Sequence, residues 1–183
     1  MTESADPDGP PRAVLITAVA VVVVAIVGGL AYVALNQRDP APPRVPIAAA
    51  PAPLADSAPC RALLAALPDT MGEFRRAGAV DPVPAGAAAW TGTSVTAPVI
   101  LRCGVQRPDD FVVGSPLQMV DAVSWFQARG DGASTWYAVD HGAPGTYVAL
   151  TLPQDSGPTP IQTVSELIEK VMAPRALDPA PAR

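Results

Sequence analysis

An α+β fold carried on one membrane-crossing helix is predicted by three features of this 183-residue sequence. There is a single uncharged run of 23 residues, two apolar stripes at helical spacing flank the region that follows it, and four strand-like stretches lie between those stripes. The expected domain is a four-stranded, mostly antiparallel sheet packed by an N-terminal and a C-terminal helix. Setting aside the apolar run and two proline-rich stretches leaves roughly 115 residues, enough for one small core and too few for a multidomain enzyme.

The uncharged run is Ala13–Leu35, AVLITAVAVVVVAIVGGLAYVAL. At about 1.5 Å per residue it is long enough to cross roughly 30 Å of hydrocarbon. Valine is a modest helix former in water, but a bilayer forces backbone groups to pair within the segment and overrides that preference. Arg12 and the pair Asn36 and Gln37 mark its polar ends, and Tyr32 lies near the second interface. A cleaved signal sequence is the alternative, but its apolar core is normally roughly 7–15 residues with a small-residue cleavage site close behind. Here the nearest such residues, Ala48, Ala50 and Ala52, come more than ten positions later, with Pro51 and Pro53 among them.

Residues 39–59 (DPAPPRVPIAAAPAPLADSAP) hold seven prolines. Proline fixes φ and lacks an amide donor, so an extended spacer reaching at most roughly 60 Å is expected, the alternative being that part of it packs on the domain. The resulting division is a short cytoplasmic tail at 1–12, the membrane helix at 13–35, a Pro/Ala-rich linker at 36–59, an extracytoplasmic domain at 60–173 and a flexible tail at 174–183.

Cys60 and Cys103 are the only cysteines, and both follow the apolar run. They lack the spacing of a metal-binding pair. A disulfide between them is expected, with two buried thiols as the alternative. Such a bridge belongs to an oxidising compartment and places the domain outside the cytoplasm. The charge bias does not decide orientation, since Arg12 on one side faces Arg38 and Arg44 on the other.

Within the domain, Ala62, Leu63, Leu64 and Leu67 form an apolar stripe between Pro59 and Pro68, which predicts a short helix. Ile161, Val164, Leu167, Ile168 and Val171 predict a second, with Thr159 as its cap, Pro160 in its first turn and Gln162 completing a capping box. Strands are expected at 99–105, 119–127, 134–140 and 146–152, separated by the turn-rich stretches RPDD, ARGDG and DHGAPG. Their short connections predict an antiparallel meander with both helices on one face.

Period-two alternation puts Val99, Leu101, Cys103 and Val105 on one face of the first strand, and Ile100 and Arg102 on the other. Since Cys103 has to reach Cys60 in the first helix, the cysteine face is the one the helices cover. The last strand then points Val148, Leu150 and Leu152 inward, and Tyr147, Ala149 and Thr151 outward. An open second face bearing Arg102, Tyr147, Asp121 and Trp125 is the expected binding surface.

Catalytic patterns do not emerge. The one histidine, His141, reads as a turn residue beside Asp140, and no serine sits in a nucleophile motif. Asp109 and Asp110 read as a solvated loop, because a doublet supplies too few ligands for a hard cation. Glu73, Arg75 and Arg76 read as a surface ion cluster rather than an anion site. Trp90, Trp125 and Trp136 read as core or rim aromatics rather than a sugar platform. No metal or cofactor is expected. The net charge of −5 and isoelectric point near 4.7 argue against nucleic acid as a partner.

In order, CRALLAALP, EFRRAG, Trp90, VILRCGVQRP, AVSWF, STWYAVDHG and the apolar terminal helix resemble the actinobacterial proteins classed as domain of unknown function 3515, over residues 60–173. LRCGVQRP with an upstream cysteine is the most specific piece. The chain departs from that pattern in the longer link TGTSVTAPVI after Trp90, and in His141 where an arginine is expected. The resemblance implies a membrane-anchored or secreted envelope protein and brings no activity or catalytic residue with it.

These readings combine into an expectation of a single-pass cell-membrane protein, held in the cytoplasmic membrane by residues 13–35. It would carry a non-catalytic extracytoplasmic module that contacts an envelope protein or a cell-wall polymer. A small-ligand or cell-wall-fragment binder is the alternative, and a cell-wall hydrolase or transferase is the third reading.

Overall fold

The computed structural model describes residues 12–36, 42–95, 97–129, 133–139, 145–172 and 179–182. The chain divides into two compact units, Met1–Pro40 and Ala41–Arg183. The first contains helix α1, Arg12–Asn36, with an apolar span at Ala13–Leu35 that meets the length and composition needed to cross a membrane. Its apolar residues lie all round the axis and all are exposed within the unit, a pattern that suits an apolar surrounding on every side.

The second unit opens with α2, Ala58–Ala66. Ser57 caps it by accepting a hydrogen bond from the Cys60 amide, and Pro59 occupies its first turn, where a missing amide costs nothing. The strands are β1 (Thr70–Met71), β2 (Phe74–Ala77), β3 (Ala87–Thr91), β4 (Val99–Val105), β5 (Leu117–Val120), β6 (Val123–Arg129), β7 (Ala133–Val139) and β8 (Tyr147–Pro153). Helix α3, Thr159–Val171, follows.

All eight strands pair antiparallel in one sheet of order β1-β2-β3-β4-β8-β7-β6-β5. Two four-stranded meanders are thus joined edge to edge through β4 and β8. The α+β class holds, but the expected four strands are eight. The single strand expected at 119–127 is a hairpin, because Asp121 adopts φ 53° in the tight turn between Val120 and Val123. Aspartate tolerates that left-handed conformation better than most residues. The N-terminal meander of β1 to β3 was not expected from the sequence, since β1 is two residues long and AAAWT has no polar alternation.

One face of the sheet is covered by both helices, as expected. Leu63 and Leu67 from the α2 region join Ile161, Val164 and Ile168 of α3 over Phe74, Trp90, Val99, Leu101, Trp125, Val148 and Leu150. A disulfide joins Cys60 to Cys103 across this layer, with Cα atoms 5.5 Å apart and both residues fully buried. The capping frame of α3 is shifted by one position from expectation. Thr159 is the first helical residue rather than the cap, and the carbonyl of Pro158 accepts from the Gln162 amide at 3.1 Å.

Buried polar groups on this side are paired. The Trp125 indole N–H donates to Ser165 Oγ at 2.9 Å, and neither residue is exposed. Ser165→Ala leaves that donor without a partner and is expected to cost about 1–3 kcal/mol. Urea unfolding measures the loss, and adding Trp125→Phe should recover part of it if the pair is the cause.

The second face is not open. The proline-rich stretch, expected as a free spacer, lies on it from residue 45 to 55. Val45 and Ile47 pack with Ala77, Ala89 and Ile100. The Val45 amide donates to Gly78 O at 2.8 Å, the Val80 amide donates to Val45 O at 2.9 Å, and the Leu54 amide donates to Gly104 O at 3.1 Å. Proline-fixed extended backbone needs no partner strand, so it can cross a sheet face while its apolar residues point down. Nor is all of the tail free, since Ala180 exchanges hydrogen bonds with Phe111 and Val113.

Candidate functional site

Where β6, β7 and β8 run past the start of α3, the helix-side face of the sheet is left uncovered and forms a groove of about 570 Å³. Its floor is Gln127, Ser134, Trp136 and Leu152, which the antiparallel register places side by side. One wall is the β5–β6 hairpin, with Gln118, Val120 and Asp121. The other is the 154–158 loop and the first turn of α3, with Gln154, Ser156 and Gln162. Gln127 Nε2 donates to Ser134 Oγ at 2.9 Å, so this amide is held in place on the floor. Trp136 is half-buried, packed against the core on one side and lining the groove on the other. Among the described residues, Asp121 is the one charged side chain in the lining.

A smaller pocket of about 210 Å³ lies on the opposite face, lined by Arg102, Gln106, Thr135 and Tyr137 beneath the strap residues Ala50 and Pro51. Arg102 Nη2 donates to Ala48 O at 3.1 Å, and its buried Nε has no hydrogen-bond partner among the described residues. Burial pushes the Tyr137 hydroxyl above its ordinary value, the nearby Asp110 carboxylate adds to that, and Arg102 opposes it. The phenol is therefore a neutral donor well beyond physiological pH.

The four residues expected on one open surface are not brought together. Trp125 is on the helix-covered face, fully buried, because Val123, Trp125 and the groove residue Gln127 alternate with Phe126 in β6. Tyr147 is on the second face as expected, but it is 5% exposed among Val105, Phe111, Phe126 and Ala149. Val105 also changes face relative to expectation, because the β4–β8 register shifts between Cys103 and Val105 at Gly104. Arg102 faces the strap, so Arg102→Glu would disturb packing rather than probe a free surface. Asp121 alone is exposed, on the groove wall.

Of the other charged groups, Glu73 Oε2 accepts from the Ser94 amide at 3.1 Å and braces a loop. The Arg76 guanidinium stacks 4.7 Å from the centre of the Trp90 ring, and burial lowers its pKa while Asp69 opposes the shift. Among the described residues, no three His, Cys, Asp or Glu side chains gather as a metal site would require. His141 and Asp140 lie outside the described residues.

The groove residues Gln118, Gln127, Ser134, Trp136 and Gln162 escaped the sequence reading. Their only trace is that Ser134 and Trp136 share a strand face, and that pattern fits any half-buried strand.

No curated protein and no solved structure matches the chain. The family model described as a protein of unknown function, DUF3515, matches residues 17–177, which takes in most of the apolar helix and nearly all of the folded unit. The chain belongs to the DUF3515 family of proteins of unknown function.

Proposed function

We propose that this is a single-pass membrane protein, anchored through residues 13–35, whose disulfide-bonded unit lies outside the cytoplasmic membrane and acts as a non-catalytic module recognising an envelope component. The observation that carries this reading is the bridge between Cys60 and Cys103 in a chain that also has an apolar N-terminal helix. A buried cross-link of this kind forms and persists in an oxidising compartment. The non-catalytic part draws support from the side chains available: both cysteines are consumed in the bridge, and the polar side chains described in the groove are amides, hydroxyls and one carboxylate. Packing of residues 45–55 on the sheet shortens the expected spacer.

Reporter fusions test the topology. Alkaline phosphatase fused after Arg183 is expected to be active and a fluorescent protein at the same place dark, because each folds on only one side of the membrane. In parallel, both thiols should resist alkylation until the denatured chain is reduced. A bright fluorescent fusion, or two thiols that alkylate without reduction, would overturn the assignment.

A further inference from the structure

We propose that the groove beside Trp136 binds a short stretch of uncharged carbohydrate. The inference takes its biological setting from the envelope module proposed above, and its chemistry from the groove alone. Of the three tryptophans, Trp90 and Trp125 are 0% exposed, whereas Trp136 lines the groove. A sugar ring has one face of C–H groups and a rim of hydroxyls, and an indole gives that face a large, rigid, apolar surface at little entropic cost.

The groove walls suit the rim. Gln118, Gln127, Gln154 and Gln162 each present a donor and an acceptor in one plane, which matches hydroxyls that both donate and accept. Gln127 is already oriented by its bond to Ser134, and its carbonyl oxygen remains available. The amides of Gln118, Gln154 and Gln162 make no side-chain hydrogen bond to any described residue. The Trp136 indole N–H is likewise without a partner among the described residues.

Charge narrows the ligand further. Among the described side chains of the lining, Asp121 is the one ionised group, so those side chains offer no cation to a phosphate or carboxylate. A peptide is disfavoured for a different reason. The floor is a sheet face whose backbone groups are consumed in the β6–β7–β8 ladder, so a peptide main chain would find no partners there. At about 570 Å³ the groove falls within the usual size of a small-molecule site, roughly 300–1,000 Å³.

The test uses the full chain in a polyoxyethylene detergent, since sugar-headed detergents would compete. Acrylamide quenching of tryptophan emission reports mainly Trp136, the other two being buried. Cellotetraose, maltotetraose and chitotetraose are titrated separately, with tetra-alanine as the peptide arm. At least one tetrasaccharide is expected to shield Trp136 with a Kd between roughly 1 μM and 1 mM. By calorimetry, Trp136→Ala should weaken that binding at least about tenfold and Gln127→Ala by roughly threefold to tenfold, with Trp136→Phe intermediate.

Circular dichroism and the emission of Trp90 and Trp125 establish that each variant is folded. Absence of shielding by all three sugars, or unchanged affinity in a folded Trp136→Ala chain, would overturn the proposal. Shielding by tetra-alanine alone would also overturn it and point to peptide pairing along β5. None of these outcomes alters the fusion and alkylation results, so the ligand class and the topology fail separately.

Discussion

Removing the Cys60–Cys103 bridge is expected to lower the stability of the folded unit by about 4 kcal/mol, within the roughly 2–5 kcal/mol typical of native disulfides in small domains. The cysteines are 43 positions apart, so the bridge closes a long loop in the unfolded chain and removes much of its freedom. The enclosed segment contains most of α2 and all of β1 to β3, and the bridge fastens it to β4, at the centre of the sheet. Helix α2 has only nine residues, too few to persist without packing, so its docking depends on that fastening and on Leu63. Urea unfolding of the oxidised chain and of a Cys60→Ala/Cys103→Ala variant, followed by tryptophan emission in micelles, measures the difference. Alanine is preferred to serine because both positions are fully buried and a hydroxyl there would add its own desolvation cost. A loss below about 1 kcal/mol would mean that the bridge contributes far less than its loop length implies.

The parts of the fold that could be read from the sequence are those in which local pattern and tertiary environment agree. Residues Ala13–Leu35 carry the whole signal for α1, because the run is uncharged and long enough on its own to define the helix. Strand β4 and helix α3 alternate with the period of their structure, and the turn-rich stretches around β7 and β8 delimit them. Strands β2 and β3 were illegible for the opposite reason. Strand β3 is covered on both faces, by the helices on one side and by Val45 and Ile47 on the other, so Ala88, Ala89 and Trp90 are all buried and no polar face remains to reveal a period, while β2 has only four residues, two of them adjacent arginines. The strap itself was hidden by its prolines, which mark extended backbone equally well whether it is solvated or pressed against a sheet.

The candidate site was less legible still. It depends on where α3 stops covering the sheet, a fact of layer geometry that no local window records. Gln127 and Ser134 are ordinary strand residues until β6 and β7 pair, and Gln162 reads as a capping residue until α3 sets it beside Trp136. The surface named from alternation failed because the strap covers Arg102, Tyr147 is buried beside Phe111 and Phe126, and Trp125 faces the helices, and two local events also broke the alternation. The glycine bulge in β4 moved Val105 to the other face, and the turn at Asp121 created a hairpin in place of one strand.

That same bulge supplies the second large expected effect. Gly104 has φ +82°, and its carbonyl accepts the Leu54 amide at the point where the strap crosses β4. A Cβ placed there would overlap the backbone of Leu54 and Ala55, neither of which can rotate away as a long side chain could. Gly104→Ala therefore combines left-handed backbone strain of about 1–2 kcal/mol with overpacking of about 1–3 kcal/mol, for an expected loss of about 3 kcal/mol or more. Gly114 is the matched control, because it also has positive φ, +91°, yet has nothing within 4 Å of an added Cβ. Gly114→Ala carries only the backbone part, about 1 kcal/mol. If the strap is forced off the sheet, hydrogen exchange should accelerate at the amides of Leu54, Val45 and Val80, whose bonds tie it down or depend on it, while the Trp125–Ser165 side stays protected. Equal losses for the two alanine variants, with unchanged exchange at Leu54, would show that the strap is not seated on Gly104.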